Sequence, residues 1–571
     1  MKKIFSILLL LIISSTSFSQ QQKYRKIKIW FDGKSSSQLA KLGVDLLEGE
    51  YKRGTWFVSD FSEKELDRIN KGGFRTETII DDVQKFYSER AQQSTSAQQR
   101  VSSTTCGSSG PTYTTPSHFY LGEMGGYFSY DQMINIIDSM ALLYPSLITV
   151  KQQIDPTLSI EGNPIYYVKI SDNATVDESE PEILYTAVHH AREAESLSQL
   201  IYYMWYLLEN YSTDVTIQSL VNNTEMFFVP CLNPDGYMYN QLIAPNGGGM
   251  WRKNRRDNLD GEFGVDLNRN YDYFWGFDDT GSSPLTSDET YRGTTPFSEP
   301  ETQAISNFSI AHEFKYALNY HTYGNHLVQP FGYIPDLYPV DSAQYSIYGN
   351  ALTAENNYHV GPPNQTVNYV VNGNSDDWMY GEQALKPKIF AWTPEVGLQT
   401  DGFWPAPDRI IPLANDNIYA NLMLPKLATK YARVTHNEDL NIAQLGNYFA
   451  YDFNVLGLDT SGTFTVSLTP VSANVISVGS ARTYTNVTSL QISRDSISFN
   501  LDPTISNGDQ VIYIVTCDNG SYTESDTIIQ TYGIPQPLII DDCSNLANWN
   551  SGSFWDTTTE SFVSASTSIT D

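Results

Sequence analysis

Two short segments of this sequence place metal-ligating side chains where strands should end. Residues 183–188 form an apolar run that passes straight into His189, His190, Ala191, Arg192 and Glu193, and a helical pattern begins at Ala194. The ends of strands are where α/β sheets put their sites. His190 and Glu193 are three apart across that turn, so an imidazole nitrogen and a carboxylate oxygen can converge on one cation. His189 competes with His190. Adjacent strand residues point to opposite faces, so only one can serve, and the spacing to Glu193 leaves the choice open. The second segment, Tyr316-Ala317-Leu318-Asn319-Tyr320, ends in His321. A third ligand would complete a usual protein set for catalytic zinc, with the fourth position left to water. Plainer readings stand beside this one: a His-x-x-Glu spacing is common by chance, and a strand-end histidine is often a hydrogen-bonded core residue.

Positioning such residues needs a rigid scaffold, and the sequence predicts several. Its 571 residues bound two to four domains. Residues 1–19 read as a signal peptide, with Lys2 and Lys3, an apolar run over 4–13, and Ser17-Phe18-Ser19 as the cleavage site. That run is too short for a bilayer, which needs about 20 helical residues. The expected location is therefore outside the cytoplasm: extracellular, periplasmic or cell-surface, with no membrane span. Residues 20–92 read as an α+β unit with strands near 26–31 and 55–58, helices near 38–47 and 63–70, and a further strand and helix. Over residues 23–92 there are 14 Lys/Arg against 12 Asp/Glu, although the whole chain carries a net charge of −30. Such a balance suits an intramolecular lid. Residues 93–117 have the Ser/Thr/Gln/Gly composition of a protease-accessible linker, with Arg100 as a candidate cut site. The N-terminal unit is thus expected to be a removable prodomain, an accessory domain being the alternative.

Residues 118–432 alternate long helical patterns, such as 130–144, with short apolar strands such as 183–188, which predicts an α/β domain. Residues 437–535 carry recurrent Val/Ile/Thr/Ser runs, including 462–468 and 511–516, and read as a β-sandwich. Residues 539–571 begin a further, truncated β pattern. The four cysteines form no Cys-x-x-Cys pair. The net charge of −30 argues against a nucleic-acid partner, whose phosphates it would repel.

The α/β region resembles the zinc carboxypeptidases typified by pancreatic carboxypeptidases A and B. The resemblance rests on eight blocks in the family's order: His190-Ala191-Arg192-Glu193, Asn233-Pro234-Asp235-Gly236-Tyr237, Trp251-Arg252-Lys253-Asn254-Arg255, Gly264-Val265-Asp266-Leu267-Asn268-Arg269-Asn270, Ser298-Glu299-Pro300-Glu301, His321-Thr322-Tyr323, Ser375-Asp376-Asp377-Trp378 and Thr393-Pro394-Glu395. It implies a mixed eight-stranded sheet flanked by helices and one Zn2+ per chain. It favours His190 over His189 and implies His190, Glu193 and His321 as ligands. It also implies Glu395 as the base that takes a proton from the water and returns it to the leaving amine. By the same resemblance Arg252 steadies the developing oxyanion. Asn268, Arg269 and Tyr369 grip the free terminal carboxylate, a role suited to the planar guanidinium fork. Arg192 and Tyr323 join the substrate-binding group. Asp376 falls at the base of the pocket for the terminal side chain, where an acid resembles carboxypeptidase B and favours Lys or Arg ends, unless it is paired internally. Gly332 stands where the regulatory members have a charged residue, which implies a digestive role.

The implied substrate is the C-terminus of a peptide or protein. Two other functions stay in view: a related zinc amidohydrolase acting on cell-wall peptides, and a binding protein that kept the fold without catalysis. The C-terminal β region is expected to be a binding, anchoring or spacer module, with cell-surface or glycan contact as its candidate role.

Overall fold

The computed structural model describes residues 22–46, 48–97, 113–366, 369–436, 441–442, 444–534, 556–558 and 568–570. The expected signal peptide, Arg100 with most of the linker, and most of residues 539–571 lie outside them.

The α/β region is built on an eight-stranded mixed sheet. From one edge its strands are His359–Gly361, His326–Val328, Phe390–Glu395, Phe314–Tyr320, Glu182–Ala187, Glu225–Val229, Tyr166–Ile170 and Gln152–Gln153. The middle four run parallel and are almost wholly buried. That explains why they read as continuous apolar runs rather than alternating ones. Register then does the positioning. Ala187 pairs with Tyr320 and Leu318 with Trp392, so His190 and His321, which follow their strands, and Glu395, which ends its own, emerge together at the carboxyl ends. Helix Ala194–Asn210 is buried from Ala194 through Leu208. A helix apolar on most sides belongs inside a core, and this one packs against strand Glu182–Ala187 and helix Pro407–Asp416.

The N-terminal unit carries a four-stranded sheet in the order Glu50–Lys52, Trp56–Ser62, Tyr24–Trp30, Arg75–Ile80. Helix Glu63–Lys71 starts with a reciprocal capping box, Ser62 N–H donating to Glu65 Oε2 at 2.9 Å and Glu65 N–H to Ser62 Oγ at 3.3 Å. The helix expected over 38–47 is only Ser36–Ala40. Just past its cap Gly43 adopts φ +76°, a left-handed conformation that an α-helix does not continue through. A Cβ there would come within 2.0 Å of the buried Asp288 carboxylate, so the position requires glycine. The next residues, Val44, Asp45, Leu46 and Glu48, are buried and non-helical instead.

The C-terminal unit has its own two sheets, Ala432–His436, Gly446–Val455, Ile492–Leu501 and Val475–Val478 in one, and Asn441–Ile442, Thr523–Tyr532, Gln510–Asp518, Thr463–Pro470 and Arg482–Thr485 in the other. Alternation of buried and less buried positions along Gly446–Val455 and Gln510–Asp518 is the two-faced strand pattern, with Phe449, Phe453, Val466 and Tyr513 on the buried side.

Candidate metal centre and substrate cleft

His190, Glu193 and His321 present their ligand atoms to one point. The Nδ1 atoms of the two histidines are 3.1 Å apart, Glu193 Oε1 lies 2.6 Å from His190 Nδ1, and Glu193 Oε2 lies 2.9 Å from His321 Nδ1. All three side chains are at most 1% exposed. These separations are somewhat shorter than the roughly 3.3–3.6 Å edges of a tetrahedron whose ligand bonds are about 2.0–2.2 Å, and the three side chains converge on one point. The backbone on either side of the cluster supports this geometry. Val188, between strand and turn, takes φ +56°, a strained conformation for a β-branched residue, and the turn it makes delivers His190 to the cluster. Glu193 occupies the N-cap of helix Ala194–Asn210 yet makes no side-chain cap bond. Its carboxylate faces the histidines instead of the helix N–H groups it would ordinarily satisfy. Asp266 Oδ1 lies 3.1 Å from His190 Nε2, a carboxylate behind the imidazole that fixes its tautomer with Nδ1 toward the cluster. His189 faces elsewhere, with Nε2 2.9 Å from the Tyr271 hydroxyl. The donor set of two imidazoles and one carboxylate, buried and convergent, fits zinc.

Next to this cluster runs a line of buried cations. The Arg252 guanidinium, 0% exposed, donates to Asp266 Oδ2 at 2.9 Å and comes within 3.9 Å of Glu193 Oε1. Arg269 donates to the Asn268 carbonyl at 2.9 Å and to the Tyr369 hydroxyl at 2.8 Å. Asn268 is itself fixed by the Ser375 N–H, which donates to its Oδ1 at 2.9 Å. The Arg192 guanidinium lies 4.1 Å over the Phe403 ring, and the Tyr323 ring packs 5.0 Å from that same ring.

Two residues of the N-terminal unit complete these groups, and no pattern in the sequence pointed to them. Glu48 makes a short ion pair with Arg252 Nη1, accepts from Arg192 Nη2 at 2.8 Å, and brings Oε1 to 3.5 Å from His190 Nδ1. Asp45 accepts from Tyr369 Oη at 2.9 Å, pairs with Arg252 Nη2 at 2.6 Å and lies 3.4 Å from Arg269 Nη2. Burial opposes the Glu48 charge, but Arg252, Arg192 and His190 outweigh it and hold this carboxyl well below the ordinary range. Spacing offered only Asp45-Leu46-Leu47-Glu48, which looks like a helix face; the turn at Gly43 is what sends both acids into the cleft.

Glu395 is 2% exposed, follows His321 across a β-bridge, and its Oε2 accepts no hydrogen bond among the described residues. Burial first, then the Glu48 and Asp45 charges, push its carboxyl well above the ordinary range. Glu395 also lines a small, partly open pocket with Asn268, Val371, Asn374, Asp376 and Thr393. Asp376 at that pocket accepts from Asn319 Nδ2 and Thr393 Oγ1, each at 2.8 Å. Burial raises its carboxyl to about 7 in spite of these two donors. Asp377 also lines this pocket and accepts from the Gly332 N–H at 2.9 Å.

The structure therefore gathers the sequence-predicted residues into one cleft, with Tyr323 at the side nearest Lys26, whose ammonium is 5.9 Å from its ring.

Residues 133–420 match the zinc carboxypeptidase model of peptidase family M14. Carboxypeptidase A1 of Rattus norvegicus is 29% identical over 367 residues, covering 63% of this chain and 80% of its own. Carboxypeptidase A of Helicoverpa armigera superposes with a TM-score of 0.56 at 22% identity, covering 71% of this chain and 97% of its own. Thrombin activatable fibrinolysis inhibitor gives 0.54 at 21%, covering 71% and 98%. At those identities the two structures speak to the fold. The family match spans half of the chain and contains His190, Glu193, His321 and Glu395; the protein belongs to the M14 zinc carboxypeptidase family and is a zinc metallocarboxypeptidase, a hydrolase of peptide C-termini.

Proposed function

We propose that this chain is a secreted, latent carboxypeptidase that removes one residue at a time from peptide C-termini, with tolerance of or preference for basic ends, and that its N-terminal unit holds it inactive. The observation that carries the proposal is the seat of Asp45. Its carboxylate lies among Tyr369, Arg252 and Arg269, so the cleft next to the His190–Glu193–His321 cluster is one that grips a carboxylate. A substrate's free α-carboxylate is the natural occupant once the N-terminal unit is removed.

His190, Glu193 and His321 would hold zinc, which when bound supplies Lewis acidity toward a water and a carbonyl oxygen. The remaining work falls to the chain. Arg269 and Tyr369, braced by Asn268, fix the substrate's end, and this fixing converts the attack into an intramolecular step. Arg252 places two guanidinium N–H groups where negative charge develops on the carbonyl oxygen, in a site with little water to screen it. Arg192 with Tyr323 and Phe403 orients the preceding residues. Glu395 takes the proton from the attacking water and passes it to the departing amine. In the closed chain Glu48 and Asp45 add to burial in pushing the Glu395 carboxyl above the ordinary range. Removal of the N-terminal unit withdraws both charges and opens the cleft.

Asp376 at the pocket floor supports basic ends. Its two neutral donors leave a net negative charge when it is ionised, and a buried lysine or arginine head would neutralise it. The decisive experiment is hydrolysis of matched peptides ending in Lys, Arg, Leu or Phe, with free and amidated C-termini, by linker-cleaved protein with zinc and with a chelator. Chelator-sensitive release from free ends alone is the expected result. Release from none of them by the zinc-loaded, cleaved protein would overturn the peptide assignment in favour of cell-wall substrates.

A further inference from the structure

The two histidines of the cluster are steadied in different ways. Asp266 fixes the His190 ring through its rear nitrogen. The carboxylate paired with His321 is Glu193, at Nδ1 on the cluster side, and the rear Nε2 meets Asn268 Nδ2 at 3.5 Å. The Asn268 amide presents that nitrogen because its Oδ1 accepts from the Ser375 N–H. An N–H group cannot accept the Nε2 proton of a ring that binds metal through Nδ1, so the His321 ring must be held by other means. We propose that His189, which gives the cluster no ligand atom, is the positioning residue for His321: it holds that ring by stacking and ties it through Tyr271 to the segment that carries Tyr369 and Asp376.

The His189 and His321 rings lie 21° from parallel with centroids 5.2 Å apart, which is offset stacking. Both side chains are at most 1% exposed. The His190 ring meets His321 edge-on, at 4.6 Å and 62°. The terminal torsion of a histidine is soft by itself, and a ring covered on one face and met at its edge has lost that freedom.

His189 is fixed in turn. Its Nε2 lies 2.9 Å from the Tyr271 hydroxyl, and its backbone carbonyl accepts from Asn233 Nδ2 at 3.2 Å. Its Nδ1 has no hydrogen bond among the described residues. A buried nitrogen left unpaired is costly, and a phenylalanine would fill the same space without that cost; the contact with Tyr271 is what a histidine adds. Tyr271 carries the link onward. Its N–H donates to the Gly373 carbonyl at 2.9 Å, and its ring lies 5.9 Å from that of Trp378, on helix Ser375–Gly381. Gly373 takes φ +72°, and a Cβ there would lie 2.4 Å from the Arg269 carbonyl, so this backbone seat admits glycine alone. One chain of rings, His321, His189, Tyr271 and Trp378, thus joins the metal cluster to the side of the cleft that, on the function proposed above, receives the last residue of the substrate.

The inference rests on zinc occupying the cluster. The test compares His189→Gln, His189→Phe and Tyr271→Phe with the natural chain. It follows chelator-driven zinc release from the full chain, the visible absorption of the cobalt-substituted full chain, and kcat and KM of the linker-cleaved forms. Thermal unfolding checks that each variant is folded. Glutamine keeps a polar group for Tyr271 and loses the ring; phenylalanine keeps the ring and loses the polar group. His189→Gln should release zinc at least about tenfold faster and shift the cobalt bands, with kcat lowered and KM little changed. His189→Phe should recover most of the natural behaviour in all three readouts. Tyr271→Phe, which leaves the stack but frees its far end, should speed release by a smaller factor. Natural zinc release and an unshifted cobalt spectrum in His189→Gln would overturn the role of His189. A His189→Phe chain as impaired as His189→Gln would overturn the stack as its means. A natural chain that retains no zinc would fail the metal assignment itself, so the two failures are distinguishable.

Discussion

Replacing Glu48 by glutamine should wake the intact chain. Glutamine keeps the shape of the side chain and deletes the charge that faces Arg252 and Arg192. Each charge-assisted hydrogen bond of this kind contributes about 1.5–3 kcal/mol. Part of that is returned, because the closed form no longer desolvates an anion and the amide still accepts one bond. A net loss of about 3 kcal/mol from the closed state is the reasonable expectation, and at about 1.4 kcal/mol per decade it shifts the closed-to-open ratio roughly a hundredfold. Asp45 remains on Tyr369, Arg252 and Arg269, so the unit should stay folded and attached. The assay compares initial rates on one free-ended peptide for intact and linker-cleaved forms of the natural chain and the variant. The intact variant should rise by one to two decades toward the cleaved rate, and the two cleaved forms should agree, since Glu48 leaves with the N-terminal unit. An intact Glu48→Gln chain as slow as the intact natural one, with both cleaved forms fast, would refute the assignment of latency to this ion pair. A natural chain equally fast before and after cleavage would refute latency itself.

Other consequences can be measured separately. His321→Ala should lose stoichiometric zinc in metal analysis and all activity with it, because two ligands cannot hold the ion against dilution. Glu395→Gln should keep zinc but lose at least about 10³-fold in kcat with little change in KM, since its role is confined to proton transfer; a loss seen mainly in KM would contradict it. Asp376 should make specificity pH-dependent: burial raises its carboxyl to about 7, so the Lys-over-Leu ratio of kcat/KM should climb as pH rises from 6 to 8 and be flat in Asp376→Asn. The same raised value predicts that its contribution to stability is greatest at low pH, and that it is lost as pH rises from the ordinary carboxylate range through about 7. A thermal-unfolding series comparing Asp376→Asn with the natural chain should show the variant gaining relative stability across that interval.

The parts of this molecule that could be read from sequence are those in which neighbours along the chain act together. His190 and Glu193 share one turn, and the parallel strands announce themselves as apolar runs because both faces are covered. From the residues alone His321 and Glu395 were legible as strand ends, and the family resemblance supplied their roles; what makes them partners is register, Ala187 beside Tyr320 and Leu318 beside Trp392, and no local pattern encodes register between strands so far apart. Asp266 behind His190 was invisible for the same reason. The expected helix at 38–47 failed differently. Gly43 interrupts it at φ +76°, a conformation glycine adopts freely, and the space around that glycine is closed by Asp288, a residue of the α/β region. Propensity cannot weigh a contact made with a distant segment. Yet that same contact is what turns Asp45 and Glu48 toward the arginines. The charge balance of the N-terminal unit suggested a lid, and a slightly basic lid would be expected to ride on an acidic body by general attraction. The structure uses the opposite sign at the point that matters: two acids, drawn from a basic unit, sit on the buried arginines of an acidic chain. Net charge governs encounter at long range, while the contact at the arginines depends on which few residues the turn at Gly43 presents; on the latency proposed above, a change confined to that turn should release the cleft without altering the charge of either part.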